Sequence, residues 1–268
     1  MTSHELKPPL MIITKSKKDV KITTSFFMGC GGGSLVTVDD FLAGRFVESE
    51  KNTPILAAGI LRGSGDCIKK SKEFWYMDHG YFNRTPNGML AKCTGYYRVG
   101  YNTFWNSGEG DYSWDRFNSF GIKLRPWRKN GDHIVIVPPS RYMGPFLNRI
   151  WWLEKTKEEL SKYTDRKLVV STKPKSGGVP LSEALINAWA LVTDHSNSAI
   201  DAMIKGIPAI MTHPDRKLGS LEEIENPPKS RNLLKNLAHR QWTIDEMWNG
   251  LAWEEIKTHH KSKGLCKW

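Results

Sequence analysis

A run of small polar residues that opens a helix carries the clearest chemical signal in the sequence. The run follows an apolar stretch, residues 189–193, that predicts a buried strand, and the helix after it is ended by Gly206 and Pro208. Unpaired N–H groups and the positive end of the helix dipole favour an anion at such a position. We therefore predict a diphosphate site at His195, Ser196, Asn197 and Ser198.

Two residues of this region also have simpler explanations, and the sequence leaves them open. Ser196 is a common residue type at a helix N-cap, where it needs no ligand. Asp201, one turn into the helix, is placed to accept hydrogen bonds from ribose hydroxyls. The same carboxylate is spaced to pair with Lys205 on the helix surface, which would contribute only about 0.2–0.5 kcal/mol.

Two loops with cationic side chains follow neighbouring predicted strands. Ser140 and Arg141 come after the strand at residues 133–137, and Lys173 comes after the strand at residues 167–172. The carboxyl ends of parallel strands meet at one edge of the sheet, where ligands of open α/β sheets bind. A cation there would neutralise a departing diphosphate, although charged loops are usually just solvated.

Candidate catalytic residues in the first half of the chain follow another apolar run. Asp78 and His79 come directly after residues 74–77, where either side chain would act as the general base for an acceptor hydroxyl. Arg62 and Arg84 are candidate contacts to phosphate or to the acceptor. A lone His or Asp is more often structural, so that alternative stays open.

A glycine-rich loop at residues 29–34 is the remaining candidate, because Gly31, Gly32 and Gly33 would let the backbone approach a phosphate or sugar closely. The loop has neither the G-x-G-x-x-G spacing after a clear strand nor the G-K-[S/T] ending of a Walker A loop. A nicotinamide or ATP site is therefore a poor explanation. A flexible turn is the alternative.

The elements that must position these residues alternate between strand and helix in the second half. The order β-α-β-α-β-α-β predicts a doubly wound parallel sheet. Its predicted strands are residues 133–137, 167–172, 189–193 and 208–211, and its predicted helices are residues 146–163, 181–187 and 197–205. The first half also predicts an α/β fold, with strands at residues 10–13, 55–60 and 73–77 and an aromatic hairpin or insertion at residues 91–105.

The run at residues 196–210, SNSAIDAMIKGIPAI, resembles the donor-binding helix of GT-B type glycosyltransferases. It is nearest to the serine-rich version of phage-encoded and glycerophosphotransferase-like members, and the resemblance covers residues 130–215 well and the first half weakly. It implies two Rossmann-like lobes, with Ser196, Asn197 and Ser198 on the donor diphosphate and Asp201 on the ribose. The chain departs from the family in having Asp201 where many relatives have Glu, and in being short.

The resemblance also implies a donor and a domain arrangement. The donor would be a nucleotide sugar, with a UDP-sugar as first choice, and no essential metal is expected; the chain has no obvious D-x-D motif. Residues 1–128 would form the acceptor-side lobe and supply the base, with residues 121–132 reading as a linker. Residues 129–268 would form the donor-binding lobe, with a terminal helix that packs back on the first lobe.

A net charge of +11 favours a polyanionic partner, although solubility and a few phosphate contacts would explain it equally well. We predict a glycosyltransferase whose acceptor is a hydroxymethylated base in DNA, as in phage DNA modification. One alternative is a transferase for a surface glycan or polyol phosphate. Others are a non-catalytic nucleic-acid-binding protein on the same scaffold and a sugar-nucleotide epimerase.

Cysteine usage and hydropathy bear on where the protein works. The four cysteines, Cys30, Cys67, Cys93 and Cys266, contain no C-x-x-C pair, which favours a reducing compartment over a disulfide framework or a zinc site. No stretch approaches the roughly 20 apolar residues of a membrane span, and the first residues do not read as a signal peptide. We therefore expect a soluble cytoplasmic protein without membrane association, and the sequence leaves its oligomeric state open.

Overall fold

A computed structural model describes residues 6–84, 93–106, 109–172 and 178–263 of the chain. By its internal contacts the chain divides into two compact units. Unit 1 combines Met1–Asn106 with Ala238–Trp268, and unit 2 is Ser107–Leu237. Residues 128 and 129, between which the sequence analysis places a domain boundary, lie within unit 2.

Unit 1 contains a five-stranded sheet of short apolar strands. They are β1 (Leu10–Ile13), β2 (Leu35–Thr37), β3 (Ile55–Ala58), β4 (Phe74–His79) and β5 (Tyr97–Tyr101), in the order β2-β1-β3-β4-β5. Strands β1 to β4 are parallel, and β5 is antiparallel to β4. The α/β fold predicted for the first half is confirmed. The strand predicted at residues 55–60 ends earlier, because Gly59 turns the backbone into the left-handed region at a φ of 64°.

Helices α1 (Lys17–Gly29), α2 (Val38–Leu42) and α3 (Ser64–Lys70) alternate with the parallel strands of unit 1. The N-cap of α1 is Ser16, whose hydroxyl accepts a hydrogen bond from the backbone N–H of Asp19 at 3.3 Å. The sequence does not predict α1, because its central residues, ITTSFF, are β-branched or aromatic and favour strands. Burial of Phe26 in the core of unit 1 outweighs that local preference.

Unit 2 contains a four-stranded parallel sheet, and each of its strands falls where the sequence predicts one. The strands are β6 (His133–Val137), β7 (Lys167–Val170), β8 (Ala188–Thr193) and β9 (Ala209–Met211), in the order β7-β6-β8-β9. Ile134, Ile136, Val192 and Ile210 are fully buried in its core. The chain is therefore an α/β protein with two Rossmann-like units, as predicted.

The helices associated with unit 2 are α4 (Asp115–Ser119), α5 (Met143–Phe146), α6 (Trp152–Leu160), α7 (Leu181–Ala184), α8 (Ser198–Ile204) and α9 (Asn232–Ala238). Of these, α6, α7 and α8 are shorter than predicted, and α4 and α5 were not predicted. The single helix predicted over residues 146–163 is wrong in its first part. Helix α5 ends at Phe146 and Asn148 has a left-handed φ of 55°, so the helix that follows begins only at Trp152.

The segment at residues 121–132, predicted to be a linker, has no helix or strand but is bonded to the rest of unit 2. The N–H of Arg125 donates to the carbonyl of Ile204 at 3.0 Å, and the N–H of Arg128 donates to the carbonyl of Gly206 at 2.7 Å. These bonds satisfy carbonyl groups at the end of α8, which would otherwise lack partners. The segment is thus part of the folded unit.

Two C-terminal helices, α10 (Ile244–Trp248) and α11 (Leu251–Lys263), belong to unit 1. Helix α10 begins with a capping box formed by Thr243 and Glu246. Its backbone comes so close to α1 that a Cβ on Gly29 would lie 1.9 Å from the carbonyl oxygen of Met247. The ring of Trp253 lies 5.4 Å from that of Trp75 between centroids, so the last part of the chain completes the core of unit 1.

Candidate functional site

The order of strands in unit 2 marks one edge of its sheet as a ligand site. After β6 the chain adds β7 on one side and then β8 on the other, so the direction of winding reverses between β6 and β8. In open α/β sheets, ligands bind beyond the carboxyl ends of the strands at such a reversal. The loops that follow β6, β8 and β9 all reach this edge, which we call the unit 2 edge.

The loop after β8 is held to the sheet through Thr193. Its hydroxyl donates to the carbonyl of Val137 at 2.7 Å, at the end of β6, and accepts from the N–H of Ser196 at 3.3 Å. The hydroxyl of Ser196 accepts from the N–H of Ser198 at 3.2 Å. The N-cap residue of α8 is Asn197, without a side-chain cap, so Ser196 is not the helix cap that its simpler explanation supposed. The Ser196 hydroxyl keeps its hydrogen as a donor.

A buried carboxylate orients an imidazole in the same loop. Asp194 is 1% exposed, and its Oδ2 lies 2.7 Å from Nδ1 of His195. A carboxylate on one ring nitrogen fixes the orientation of a histidine and leaves Nε2 as the other polar atom. Among the described residues, Oδ1 of Asp194 and the buried Oγ of Ser198 have no hydrogen-bond partner. Buried polar atoms in that condition call for a ligand or a water molecule.

Arg216 is a site residue that the sequence analysis missed. It is 2% exposed, on the turn Pro214–Arg216 that follows β9. Its Nη1 donates to the carbonyl of His195 at 3.3 Å and to Oδ1 of Asn197 at 3.2 Å. A buried cation thus holds the backbone and one side chain of the β8 loop. The available signal was an arginine just beyond a predicted strand of the same parallel sheet.

His213, immediately after β9, was also missed. It is 7% exposed, and its ring lies 6.0 Å from that of His195 at nearly a right angle. Its Nδ1 accepts from the N–H of Asp215 at 3.3 Å. Burial lowers the pKa of His213 below its usual value, although Asp194 and Asp215 act in the opposite direction. The neutral imidazole is favoured, in agreement with its role as an acceptor.

The other residues predicted to bind the donor lie outside the loop after β8. Asp201 lies partly buried on α8. Ser140 is exposed and accepts from the N–H of Met143 at 3.1 Å, and the exposed Arg141 donates to the hydroxyl of Tyr142 at 2.7 Å. Lys173 lies outside the described residues. The structure therefore brings His195, Ser196, Asn197 and Ser198 together, with Arg141 directed to its neighbouring tyrosine.

In unit 1, the predicted catalytic pair stands at the carboxyl end of β4. Asp78 accepts three hydrogen bonds: from the Tyr76 hydroxyl at 3.1 Å, from the His79 N–H at 2.7 Å and from Nη2 of Arg98 at 3.0 Å. Burial acts to raise the pKa of Asp78, but the Arg98 guanidinium and the other donors outweigh it, so the pKa is lowered. This carboxylate is consequently a weak base, held in a structural network.

His79 has the environment of a neutral imidazole. Burial lowers its pKa, the cations of Lys18, Arg98 and Arg84 lower it further, and Asp78 opposes them. Its Nδ1 is buried and has no hydrogen-bond partner among the residues that the structure describes. A neutral ring can accept a proton, so His79 fits the role of general base better than Asp78 does.

The remaining predicted residues fall at two different edges of the unit 1 sheet. Arg62, just after β3, has a φ of 61° and donates from Nη1 to Oδ2 of Asp19 at 3.2 Å. Arg84 is exposed and close enough to His79 to affect its pKa. In contrast, Gly31, Gly32 and Gly33 connect α1 to the start of β2, at the amino-terminal edge, so they lie away from Arg62, Asp78 and His79.

Neither a metal cluster nor a membrane helix is found in the part of the chain that the structure describes. No group of three or more His, Cys, Asp or Glu side chains there could hold a metal ion. No described helix is both long enough and apolar enough to cross a bilayer.

The fold is similar to that of known transferases, although no family model and no curated protein sequence matches the chain. A solved structure of Thermosulfurimonas dismutans KpsC, a beta Kdo 2,7 transferase, matches with a TM-score of 0.52 and 12% sequence identity, covering 92% of this chain and 99% of that one. A KpsC structure from the same organism, a beta Kdo 2,4 transferase, matches with a TM-score of 0.49 and 10% identity, covering 88% and 90%. At 12% identity the first match shows the fold alone.

Proposed function

We propose that the chain is a glycosyltransferase that binds a nucleotide-sugar donor at the unit 2 edge and transfers the sugar to an acceptor hydroxyl. The observation that carries the proposal is the β8 loop, held by buried Arg216, where Ser198 Oγ lacks a hydrogen-bond partner among the described residues. The fold shared with a Kdo transferase supports the same reaction class. Fold alone does not determine chemistry, so ligand binding at the unit 2 edge is what the experiment must test.

The donor phosphates would be bound by the loop and the start of α8. His195 offers Nε2, and Ser196, Asn197 and Ser198 offer side-chain donors, all in one short stretch. Asp201 would accept hydrogen bonds from the ribose hydroxyls. Arg141, Ser140 and Lys173 would approach the phosphates from the loops after β6 and β7. A UDP-sugar is the first donor to test, followed by nucleotide-linked sugar acids, because the similar structure is a Kdo transferase.

The reaction breaks the bond between the anomeric carbon and the phosphate oxygen of the nucleotide, which leaves with the electron pair. The acceptor oxygen forms the new bond to the sugar, and its proton passes to a base. We assign that base to His79, whose lowered pKa keeps it neutral at pH 7. Asp78 acts as a positioning residue, since its pair with Arg98 fixes the end of β4.

A glycan or polyol phosphate is the better supported acceptor. The similar structure is that of a Kdo transferase and not of a DNA-modifying enzyme, and no observation beyond the net charge of +11 favours the DNA base that we predicted. Modified DNA remains the second candidate because counterion release would favour its binding to a basic chain at low salt. The non-catalytic alternative predicts DNA binding with no donor site.

The decisive experiment measures nucleotide binding by calorimetry and thermal shift, with UDP, CMP, CDP, GDP and ADP as ligands. A ligand at 100 times its dissociation constant should add about 2.7 kcal/mol of stability. Asp201→Asn should weaken binding about tenfold, which corresponds to about 1.4 kcal/mol. Asp132→Asn is the matched control, because Asp132 is exposed and precedes β6 at the opposite edge of the sheet.

Two outcomes would count against the proposal. If no nucleotide or nucleotide sugar binds while duplex DNA does, with an affinity that falls steeply with salt, the chain is a nucleic-acid-binding protein. If a nucleotide binds equally well to Asp201→Asn and to the wild type, the ligand occupies another site. Binding that persists in EDTA is expected, since we propose no essential metal.

A further inference from the structure

The sheet of unit 1 has its own reversal of winding, and charged side chains gather there. After β1 the chain adds β2 on one side and then β3 on the other, so the reversal lies between β1 and β3. The residues that follow these strands lie at the carboxyl edge, where ligands of such sheets bind. We call this region the unit 1 edge. Its charged and titratable members are Lys18, Asp19, Arg62 and His79.

The charges at the unit 1 edge do not cancel. The carboxylate of Asp19, only 8% exposed as a residue, lies 3.2 Å from Nη1 of Arg62 and 3.7 Å from Nζ of Lys18. Two cations therefore share one anion. Among the other carboxylates at this edge, Asp78 is paired with Arg98 at 3.0 Å and Asp40 is paired with Arg45 at 2.9 Å. Around Asp19 itself the cations outnumber the anion, which favours an anionic ligand there.

His79, at the end of β4, lies within the influence of several cations, although burial is the main cause of its lowered pKa. The charged groups that act on its ring are Lys18 from α1, Arg98 from β5, Arg84 from the segment after β4 and Asp78 from β4 itself. Three of these are cations, and each makes a proton on the imidazole less favourable. The start of α1, with the positive end of its dipole, adds to the potential at the same edge.

The backbone around Arg62 is built in an unfavourable conformation. Arg62 has a φ of 61° and Gly63 a φ of 86°, so two consecutive residues are left-handed. A side chain in that region is strained relative to ordinary backbone. This turn carries the guanidinium across to Asp19 on α1, which places the cation at the reversal of the sheet.

We propose that the unit 1 edge binds an anionic group, a carboxylate or a phosphate, between Lys18, Arg62 and His79. Describing this group as part of the acceptor rests on the proposed transferase function, whereas the anion site itself does not. An acidic sugar or a phosphorylated polyol would supply such a group. The class of acceptor is thereby narrowed from any hydroxyl compound to one with a negative charge near the reacting hydroxyl.

The test follows the ring signals of His79 by NMR, with His79→Gln used to assign them. Inorganic phosphate and acetate are the two probes, each compared with chloride at equal ionic strength and without nucleotide. A bound anion should shift the His79 signals with saturation and raise the pKa of the ring, because it stabilises the protonated form. The probe with the lower dissociation constant indicates whether phosphate or carboxylate is the preferred group.

Matched variants separate the site from general ionic effects. Arg62→Gln and Lys18→Gln should each weaken probe binding about fivefold. Lys162→Gln is the control, because Lys162 also pairs with an acidic side chain, Glu159, at 2.7 Å but in an exposed position in unit 2. Backbone spectra of each variant show whether the fold is retained.

The proposal is overturned if the His79 signals respond to both probes as they do to chloride, or if Arg62→Gln and Lys18→Gln bind as the wild type does. Because the readout is at His79 and no nucleotide is present, it is independent of the unit 2 edge. A normal His79 response with no nucleotide binding would remove the transferase proposal and leave the anion site. Nucleotide binding without a His79 response would remove the anion site and leave the transferase proposal.

Discussion

Arg98 is a buried cation of unit 1 whose removal should lower the stability of the fold. Its side chain is 8% exposed and neutralises Asp78, whose side chain keeps 36% exposure. Arg98→Met leaves that carboxylate without its cation and should cost about 3 kcal/mol, the low end for a buried pair because Asp78 is partly solvated. Urea denaturation at pH 7 measures the loss, and Asp78→Asn in the Arg98→Met background should recover part of it.

The pH dependence of this loss has a definite sign. The pKa of Asp78 is lowered in the folded state, so its contribution is present above the unfolded pKa, about 3.9, and is lost as the pH falls through the folded value. Without Arg98, burial is the largest influence left on the carboxyl of Asp78 and raises its pKa in the variant. The gap between wild type and Arg98→Met should therefore be largest at pH 7 and shrink as the pH falls, because Asp78 is protonated in the variant before it is protonated in the wild type. A gap that does not change between pH 7 and strong acid would contradict the assignment to Asp78.

At the residue scale, the sequence identifies groups that are contiguous and misses those that meet through the fold. One contiguous run contains His195, Ser196, Asn197 and Ser198, and the sequence alone predicts its position between a strand and a helix. Arg216 joins that run only because β8 and β9 end side by side in the sheet. Arg98 meets Asp78 only through the antiparallel register of β4 and β5.

At the scale of elements, the junction after α8 depends on one glycine. Gly206 has a φ of 77°, and a Cβ there would lie 2.0 Å from the carbonyl oxygen of Pro126. Gly121, in the same unit, has a φ of 67° with open space around it. Gly121→Ala should cost about 1–2 kcal/mol for the backbone alone. Gly206→Ala should cost about 1–3 kcal/mol more, since the segment at residues 121–132 must move.

Denaturation of the two glycine variants under identical conditions measures the difference directly. The backbone penalty is common to both, so the excess in Gly206→Ala reports how firmly residues 121–132 are bound to unit 2. Equal losses in both variants would mean that the segment yields freely, as the linker prediction supposed. The shift in Tm of the unit 2 transition, measured in the whole chain, can replace the free energy of unfolding in this comparison.

The sequence predicts strands better than helices in this chain, for a physical reason. Buried parallel strands such as β6 and β8 are continuous apolar runs bounded by polar loops, a signal contained in the segment itself. Helix α1 is stabilised by what it packs against, including α10 from the far end of the chain. Its own residues favour strands, so local preference alone gives the wrong expectation.

At the scale of the whole molecule, unit 1 is assembled from both ends of the chain. Its core contains Trp75 from β4 together with Trp242 and Trp253 from the last part of the sequence. No local pattern predicts that residues 238–263 return to the first sheet, because the partners are separated by the whole of unit 2. Only the resemblance to GT-B enzymes implied a terminal helix packed on the first lobe. Such long-range closure is a property of the folded chain that composition and periodicity do not encode.

The last prediction follows from that closure. Ending the chain after Leu237 removes Trp242, Met247 and Trp253 from the core of unit 1, so unit 1 should lose its cooperative unfolding transition while unit 2 keeps its own. Trp253→Ala should cost about 3–5 kcal/mol of the free energy of unfolding, because the Trp253 side chain is buried among aromatic rings. Trp248→Ala is the matched control in the same C-terminal segment, because Trp248 is 50% exposed and its loss should change the stability little. Differential scanning calorimetry resolves the units, and a truncated chain that retains both transitions would show that unit 1 folds without its C-terminal helices.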